Sequence, residues 1–307
     1  MHGATNGLSE RIERISRLFA ATATGSAEVA QRSRFLRARR DELRTNQPTR
    51  AGQRVGEILF AHRPVLLLDA PPFDPTDQDL VELVAVRDDL VAVANLATAS
   101  VGLIEVERDG AFQAIGTCFR VGGGPTRIVT SGHLMRDILA AGAQIRRGYE
   151  YLTRPAVGQH RAARVRFPGG TFQLAKVICA HPAWDLMVAD LEPTAAAVPA
   201  LAVETDLDAP GAAGDIVAIV GYPLSASDAT HPDELELLFE GKLGRQCIAP
   251  GRAGPLPPLA RPLPETFSGQ TVWLGHDATT LPGNSGSPVF SLSTGRVVAV
   301  HGRGGRP

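Results

Sequence analysis

The chain has 307 residues, with 31 Lys and Arg against 32 Asp and Glu, so its formal net charge is −1. This balance argues against the strongly charged composition that is typical of proteins binding nucleic acid or acidic partners. The chain is long enough for two or three domains. Its three cysteines are an odd number without paired spacing, which favours free thiols in a reducing compartment over a disulfide framework.

The start of the chain lacks the features of an export signal. Residues 1–17 are polar and charged, and they contain no apolar core. No later stretch is apolar for long enough to span a bilayer. From the sequence as given, we expect a cytoplasmic protein without a membrane span.

Two amphipathic helices are predicted near the start, over 9–20 and 26–44. Ser9 can cap the first helix, whose apolar residues recur on one face. The second helix is rich in arginine, a pattern more typical of a solvated face than of a nucleic-acid-binding surface. Because no aromatic residues interleave with these arginines, we expect no nucleic-acid partner.

A third helix is predicted after a proline-rich break at 69–75. Thr76 and Asp79 form a capping box, and helical periodicity continues to about Leu96. Residues 1–97 are therefore predicted to form a mostly helical N-terminal extension. Such an extension would dock onto the rest of the protein or bind a protein partner.

From Ser100 onward the hydrophobic pattern has the period of β-strands. Asp109-Gly110 lies between two such runs and predicts a hairpin turn with positive φ. The segments 194–210 and 250–264 are interpreted as an alanine-rich linker and a proline-rich loop. Strands are predicted at 101–107, 112–121, 127–133, 163–167, 172–179, 186–191, 216–220, 271–275, 289–290 and 297–300.

A serine framed by two glycines stands just before one of the last predicted strands, in Gly-Asn-Ser-Gly-Ser-Pro at 283–288. A serine hydroxyl attacks a carbonyl when a base lies within hydrogen-bond reach, and the oxyanion formed needs two converging N–H donors. The backbone N–H groups of Gly283 and Ser285 can supply this oxyanion hole, since glycine tolerates the strained backbone required. Taken alone, the motif is also typical of a Gly/Ser turn between strands.

The segment 283–288 resembles the nucleophile segment of chymotrypsin-fold (trypsin-like) serine proteases, most closely the bacterial glutamyl endopeptidase branch. That resemblance implies a histidine and an aspartate upstream, in this order. His133 ends the β-rich segment 127–133, and Asp185 precedes a predicted strand. The resemblance therefore implies a catalytic triad with Ser285 as nucleophile, His133 as base and Asp185 as the group that orients the base. No metal or organic cofactor is needed.

The resemblance also implies a mainly β fold of two antiparallel six-stranded β-barrels, preceded by the helical extension. The protease domain is expected at 98–307, with barrel one at 98–205 and barrel two at 211–307. Gly-Tyr-Pro at 221–223, which ends the first predicted strand of barrel two, is similar to bacterial family members as well.

Two polar residues stand where this family forms its specificity pocket. Thr280 lies before the nucleophile loop, and His301 ends the last predicted strand, where glutamyl endopeptidases also carry a histidine. A hydroxyl and an imidazole can both donate to a carboxylate. The resemblance thus implies substrate binding by Thr280 and His301 and cleavage after an acidic residue, usually Glu. A core histidine at a strand end is the alternative interpretation of His301.

Other kinds of site fit the sequence less well. An α/β-hydrolase has Gly-x-Ser-x-Gly, whereas Ser287 closes the motif here, and its triad order is Ser, acid, His. His181 and Asp185 could in principle hold a metal, but Pro182 argues against a helix and no third ligand stands at metal spacing.

We therefore predict a serine endopeptidase that acts on protein or peptide substrates. The alternative is a catalytically latent or inactive trypsin-like binding module that acts through its helical N-terminal extension. The stop at Pro307 favours this alternative, because family members normally continue with another strand and a C-terminal helix.

Overall fold

The computed structural model describes residues 65–68, 86–139, 162–181, 184–205, 214–225, 235, 239, 243–254 and 274–302. Its helices are α1 (Arg87–Ser100) and the short α2 (Met135–Ile138), with 3₁₀ turns at Gly132–Leu134 and Pro193–Ala197. The strands are β1 (Leu66–Leu67), β2 (Val101–Arg108), β3 (Ala111–Arg120), β4 (Arg127–Ser131), β5 (Ala163–Phe167), β6 (Gly170–His181), β7 (Leu186–Leu191), β8 (Ile216–Gly221), β9 (Cys247–Gly254), β10 (Gly275–His276), β11 (Pro288–Ser291) and β12 (Val297–Val300). The fold is mainly β, as predicted.

Strands β2 to β7 close into an antiparallel barrel in the order β2-β3-β4-β7-β6-β5. The β2–β3 hairpin turns at Asp109 and Gly110, whose φ angles of 52° and 79° are the positive values that this dipeptide favours. Aliphatic side chains fill the barrel interior, among them the fully buried Ile104, Ile128 and Met187. The alternation of apolar residues thus predicted these strands because one face of each lines the core.

The other six strands form a second antiparallel sheet in the order β1-β9-β8-β11-β12, with β10 also paired to β9. Among the described residues this sheet is open, so the closed second barrel predicted for 211–307 is not confirmed. Strand β1 comes from the N-terminal part of the chain and pairs Leu66 with Ile248. A segment that precedes the first barrel in the chain, β1, therefore forms a strand of the second sheet.

Strand β9 is a correction to the sequence analysis, which expected a loop from Pro250 onward. That expectation is wrong up to Gly254. Strand β1 reaches along β9 only to Ile248, and β10 pairs with it only from Ala253. Pro250 therefore lies where one edge of β9 has no strand neighbour among the described residues, and a residue without an N–H is tolerated at such an edge.

Helix α1 lies at the junction of the two sheets. It continues to Ser100, past the predicted end near Leu96, and β2 begins at the next residue. Its apolar face belongs to one buried cluster with side chains of both sheets. The members from the helix are Leu90, Val93, Ala94 and Ala97; those from the first barrel include Leu103 and Phe119; and those from the second sheet include Val220, Ile248 and Phe290.

The predicted helices at 9–20 and 26–44 and the capping box at Thr76 lie outside the described residues. The helical N-terminal extension is therefore not confirmed, and its boundary with the protease domain stays a prediction. Within the part of the chain that the structure describes, no helix is both long and apolar enough to cross a membrane.

All three cysteines are free thiols. Cys118 and Cys247 are buried, and Cys179 is partly buried. Burial raises the pKa of the Cys118 and Cys179 thiols, so both stay protonated at neutral pH. Neither therefore has the thiolate character of a reactive cysteine.

Candidate active site

Two neighbouring strands of the first barrel bring His133 and Asp185 together. His133 follows β4 and Asp185 precedes β7, and these antiparallel strands pair Ser131 with Leu186 at the same end of the barrel. His133 Nδ1 lies 2.8 Å from Asp185 Oδ2. The backbone N–H of His133 donates to Asp185 Oδ1 over 2.7 Å. One carboxylate therefore holds both the ring and the backbone of the histidine.

The turn that carries Asp185 is tightly packed. Asp185 is 7% exposed and has a φ of 51°, a left-handed conformation that aspartate tolerates better than most residues. Its carbonyl accepts the N–H of Gly132 over 2.8 Å. A Cβ at Gly132 would lie 2.9 Å from the backbone nitrogen of Leu186, so only glycine lets the two turns approach this closely.

The contact with Asp185 favours one tautomer of a neutral His133 ring. An ionised carboxylate only accepts hydrogen bonds, so the imidazole proton lies on Nδ1 and Nε2 carries a lone pair. The His133 side chain is 35% exposed, whereas that of Asp185 is 8% exposed. A partly exposed imidazole oriented by a buried carboxylate is the arrangement expected of a general base.

Strand β3 of the first barrel holds the loop that carries Ser285. The N–H of Thr117 donates to the Ser285 carbonyl over 2.9 Å, and its hydroxyl donates to the Gly283 carbonyl over 2.8 Å. Gly286 has a φ of 89°, and a Cβ there would lie 2.0 Å from the carbonyl oxygen of Thr117. Nothing in the sequence around Thr117 marks it as part of a site, because its role depends on a contact 166 residues away along the chain.

Within the described part of the chain, the same loop has two backbone N–H groups without an acceptor. Asn284 donates to Leu281, Gly286 to His301 and Ser287 to Asn284. By contrast, the N–H groups of Gly283 and Ser285 donate to no group among the described residues. Two free backbone donors separated by one residue can together bind an anionic oxygen.

The carbonyl of His301 joins the segment of His133 to that of Ser285. It accepts the hydroxyl of Ser131 over 3.0 Å and the N–H of Gly286 over 2.7 Å. The Ser285 hydroxyl, however, lies 3.4 Å from the carbonyl of Gly302 and is not hydrogen-bonded to His133. The structure thus pairs His133 with Asp185 and places Ser285 in an adjoining loop. The Ser285 hydroxyl donates to the Gly302 carbonyl instead of to His133.

The two predicted pocket residues differ in their surroundings. Thr280 is partly buried in the segment between β10 and the nucleophile loop, and it makes no hydrogen bond to His301. His301 is 5% exposed, and its Nδ1 lies 3.1 Å from Nε2 of His276. His276 on β10 was not predicted as part of the site, because the residue that it contacts, His301, follows a different strand.

A family model described as a trypsin-like peptidase domain matches residues 116–300. This match spans more than half of the chain and contains His133, Asp185 and Ser285. The chain belongs to the trypsin-like peptidase domain family. No curated protein sequence matches it.

This trypsin-like peptidase domain protein is similar in structure to the Rv3671c protease and to Deg5, among others. The Rv3671c protease of M. tuberculosis H37Rv, in its inactive form, is 18% identical with a TM-score of 0.42, over 70% of this chain and 81% of that chain. Deg5 is 17% identical with a TM-score of 0.46, over 70% of this chain and 85% of that chain.

In this trypsin-like peptidase domain, His181, which precedes Asp185 by four residues, packs against an aromatic ring. The His181 ring stacks on Trp184 with 4.2 Å between centroids, and its Nδ1 accepts the N–H of Trp184 over 3.1 Å. Among the described residues, no group of three or more His, Cys, Asp and Glu is arranged to hold a metal.

Burial keeps His276 and His301 uncharged. Burial, the largest cause, and the charges that His276 and His133 carry when protonated together lower the pKa of His301 to about 3. Burial also lowers the pKa of His276, an effect partly offset by Asp277. Both imidazoles are therefore neutral at neutral pH.

The low pKa of His301 makes the stability of the folded protein depend on pH. An unfolded histidine titrates near 6.5 and folded His301 near 3, so between these values the unfolded chain binds one more proton. The free energy of unfolding should therefore fall as the pH drops from about 6.5 toward 3. His301→Gln should reduce the slope of this free energy against pH by up to about 1.4 kcal/mol per pH unit. Urea unfolding between pH 4.5 and 6.5 measures the slope, and equal slopes would contradict a buried neutral His301.

Proposed function

We propose that this protein is a serine endopeptidase that hydrolyses peptide bonds through an acyl-enzyme on Ser285. The main support is the His133–Asp185 contact of 2.8 Å beside a loop with two N–H groups that donate to no described residue. These parts supply a base, an orienting carboxylate and an oxyanion site around a single serine. Membership of the trypsin-like peptidase domain family supports the same reaction class.

In the proposed mechanism, Ser285 Oγ attacks the carbonyl carbon of the substrate while His133 Nε2 takes the hydroxyl proton. The N–H groups of Gly283 and Ser285 donate to the oxyanion, and Asp185 stabilises the imidazolium. His133 then gives its proton to the leaving amine, which departs as the C–N bond breaks. Water, deprotonated by His133, hydrolyses the acyl-enzyme and regenerates the serine.

The hydroxyl of Ser285 must turn from Gly302 toward His133 before attack. A 3.4 Å bond to a carbonyl is long for an O–H donor, so breaking it costs little. Catalytic hydrogen bonds are often long or misaligned before substrate binds. A change of the Ser285 rotamer would therefore complete the triad in the substrate complex.

A fluorophosphonate probe tests the nucleophile directly, since it rapidly labels only a serine with a working base and oxyanion hole. We expect labelling of the natural protein and none of Ser285→Ala. Ser287→Ala is the matched control, because the Ser287 hydroxyl is buried without a hydrogen-bond partner among the described residues. An unlabelled natural protein would instead favour the latent binding module.

We further propose that the enzyme cleaves after acidic residues, as in the glutamyl endopeptidase branch. Support comes from His301, a nearly buried imidazole whose backbone contacts the nucleophile loop, and from Thr280 in the segment before that loop. A neutral imidazole N–H can donate to a substrate carboxylate. A hydrogen bond to a charged group is worth about 1.5 to 3 kcal/mol, or roughly 10- to 150-fold in kcat/KM.

Matched peptides with Glu, Gln, Lys and Phe on the acyl side of the cut bond measure this preference. We expect Glu to exceed Gln by about 10-fold or more in kcat/KM. Equal cleavage after Gln would show that no group in the pocket recognises the charge, and the roles of Thr280 and His301 would be wrong.

A cytoplasmic location and a protein partner for residues 1–97 stay proposals from the sequence.

A further inference from the structure

A buried histidine, His301, and a partly buried one, His276, contact each other beside the nucleophile loop. His276 Nε2 on β10 lies 3.1 Å from Nδ1 of His301, which follows β12, and the ring centroids are 5.2 Å apart. The other ring nitrogen of His276, Nδ1, is buried and has no hydrogen-bond partner among the described residues. The contacts of these ring nitrogens limit which nitrogen of each histidine can carry its proton.

A neutral imidazole carries one proton, so a single N–H occupies the contact between the two rings. If His276 donates from Nε2, its Nδ1 is an unprotonated acceptor, and His301 carries its proton on Nε2. If His301 donates from Nδ1 instead, His276 must carry its own proton on Nδ1, and His301 Nε2 is a lone pair. The two arrangements therefore present opposite groups at His301 Nε2.

The surroundings of His276 favour the first arrangement. In the second arrangement a buried N–H would stand at His276 Nδ1 without an acceptor from the part of the chain that the structure describes. Orphaned buried N–H groups are rarer in proteins than acceptors with unused lone pairs. The neighbouring carboxylate of Asp277 does not accept from His276 Nδ1, because that nitrogen has no hydrogen-bond partner among the described residues. Asp277 Oδ1 accepts the N–H of Arg252 instead.

We propose that His276 is a positioning residue that holds His301 as its Nε2–H tautomer, so that His301 offers a donor to the carboxylate of an acidic substrate residue. The inference deepens the proposed acidic preference and rests on it. A lone pair at the same nitrogen would repel a carboxylate and accept from the amide of glutamine. The contact with His276 therefore sets whether the pocket favours Glu or Gln.

The backbone of His301 lies against the nucleophile loop. Its carbonyl accepts from Gly286 and Ser131, and the next residue, Gly302, accepts the Ser285 hydroxyl. A change in the His301 tautomer would therefore occur close to the nucleophile loop.

The tautomer can be measured without any catalytic activity. Nitrogen-15 NMR spectra of histidine-labelled protein at pH 7 distinguish an Nε2–H imidazole from an Nδ1–H imidazole. We expect His301 to be the Nε2–H tautomer in the natural protein, and a mixture of tautomers in His276→Leu. An Nδ1–H signal for His301 in the natural protein would overturn the proposal, whether or not the protein is a protease.

Peptide cleavage provides the functional arm. His276→Leu removes the donor and should lower the Glu-to-Gln ratio of kcat/KM by about 10-fold or more. His276→Gln keeps an amide N–H that can donate to His301 Nδ1, so it should retain most of the natural ratio. The rate of fluorophosphonate labelling should stay the same in both variants, because Ser285, His133 and Asp185 are unchanged.

Each negative result identifies a different failure. If His276→Leu keeps the natural ratio and labels normally, His276 does not position His301 and the proposal is overturned. If the natural protein is labelled but cuts Glu and Gln peptides equally, the acidic preference fails and the role of His276 fails with it. If both variants lose the ratio equally while the NMR spectrum of His276→Gln keeps the Nε2–H tautomer, the contact acts through packing alone and the proposal is again overturned.

Discussion

Replacing Ser285 with alanine is expected to lower the turnover of peptide substrates by about six orders of magnitude, since no other group can form the acyl-enzyme. The fold should be unchanged, because the Ser285 hydroxyl makes only a 3.4 Å hydrogen bond to Gly302. The backbone contacts of the loop with Thr117 do not involve the side chain of Ser285. Steady-state kinetics and the melting temperature measure the two effects separately.

Ser287→Ala is the matched control for this variant. It is the same substitution in the same loop, and it removes a buried hydroxyl that has no hydrogen-bond partner among the described residues. Loss of such a group is expected to leave stability unchanged or slightly increased. Turnover that persists in Ser285→Ala, or disappears equally in Ser287→Ala, would show that Ser285 is not the nucleophile.

Replacing Asp185 with asparagine is expected to lower kcat by about four orders of magnitude. Asparagine can keep the hydrogen bond from the backbone N–H of His133 only through its single oxygen. Its amide NH₂ must then face His133 Nδ1, where the carboxylate oxygen stood at 2.8 Å. The ring is forced into the tautomer with the proton on Nε2, which cannot accept a proton from Ser285.

Asp190→Asn is the control for loss of a carboxylate on the strand that follows Asp185. Asp190 lies on β7 and pairs with Arg127 and Lys176 over 3.3 Å, contacts that are partly exposed and so contribute little to stability. We expect its kcat to stay within about twofold of the natural protein, since it is remote from the proposed chemistry. Equal activity in Asp185→Asn and Asp190→Asn would contradict the orienting role of Asp185.

Local pattern was enough to predict much of the first barrel. Alternation of apolar residues depends on each strand having one face in the core, so it appears in the sequence of β4 and β7 without knowledge of their partners. The turn at Asp109 and Gly110 was predictable because its dipeptide tolerates positive φ. The proximity of His133 and Asp185 followed from the family resemblance and agrees with the pairing of these strands.

Contacts between distant segments could not be read from the sequence. Thr117 holds the loop of Ser285, and its threonine looks like any other strand residue until the loop is placed against it. The same is true of His276, whose importance arises only from a ring on another strand. Pro250 misled the prediction, because the tolerance of a strand for proline depends on whether a neighbour lies on that edge.

The buried face of helix α1 has a consequence for how the molecule unfolds. Because Leu90, Val93, Ala94 and Ala97 share one apolar cluster with both sheets, neither sheet can leave this cluster without exposing them. The two halves should therefore melt together, in one calorimetric transition whose van't Hoff and calorimetric enthalpies agree. His133 and Ser285, which come from different sheets, would then gain and lose their relative positions in a single cooperative step.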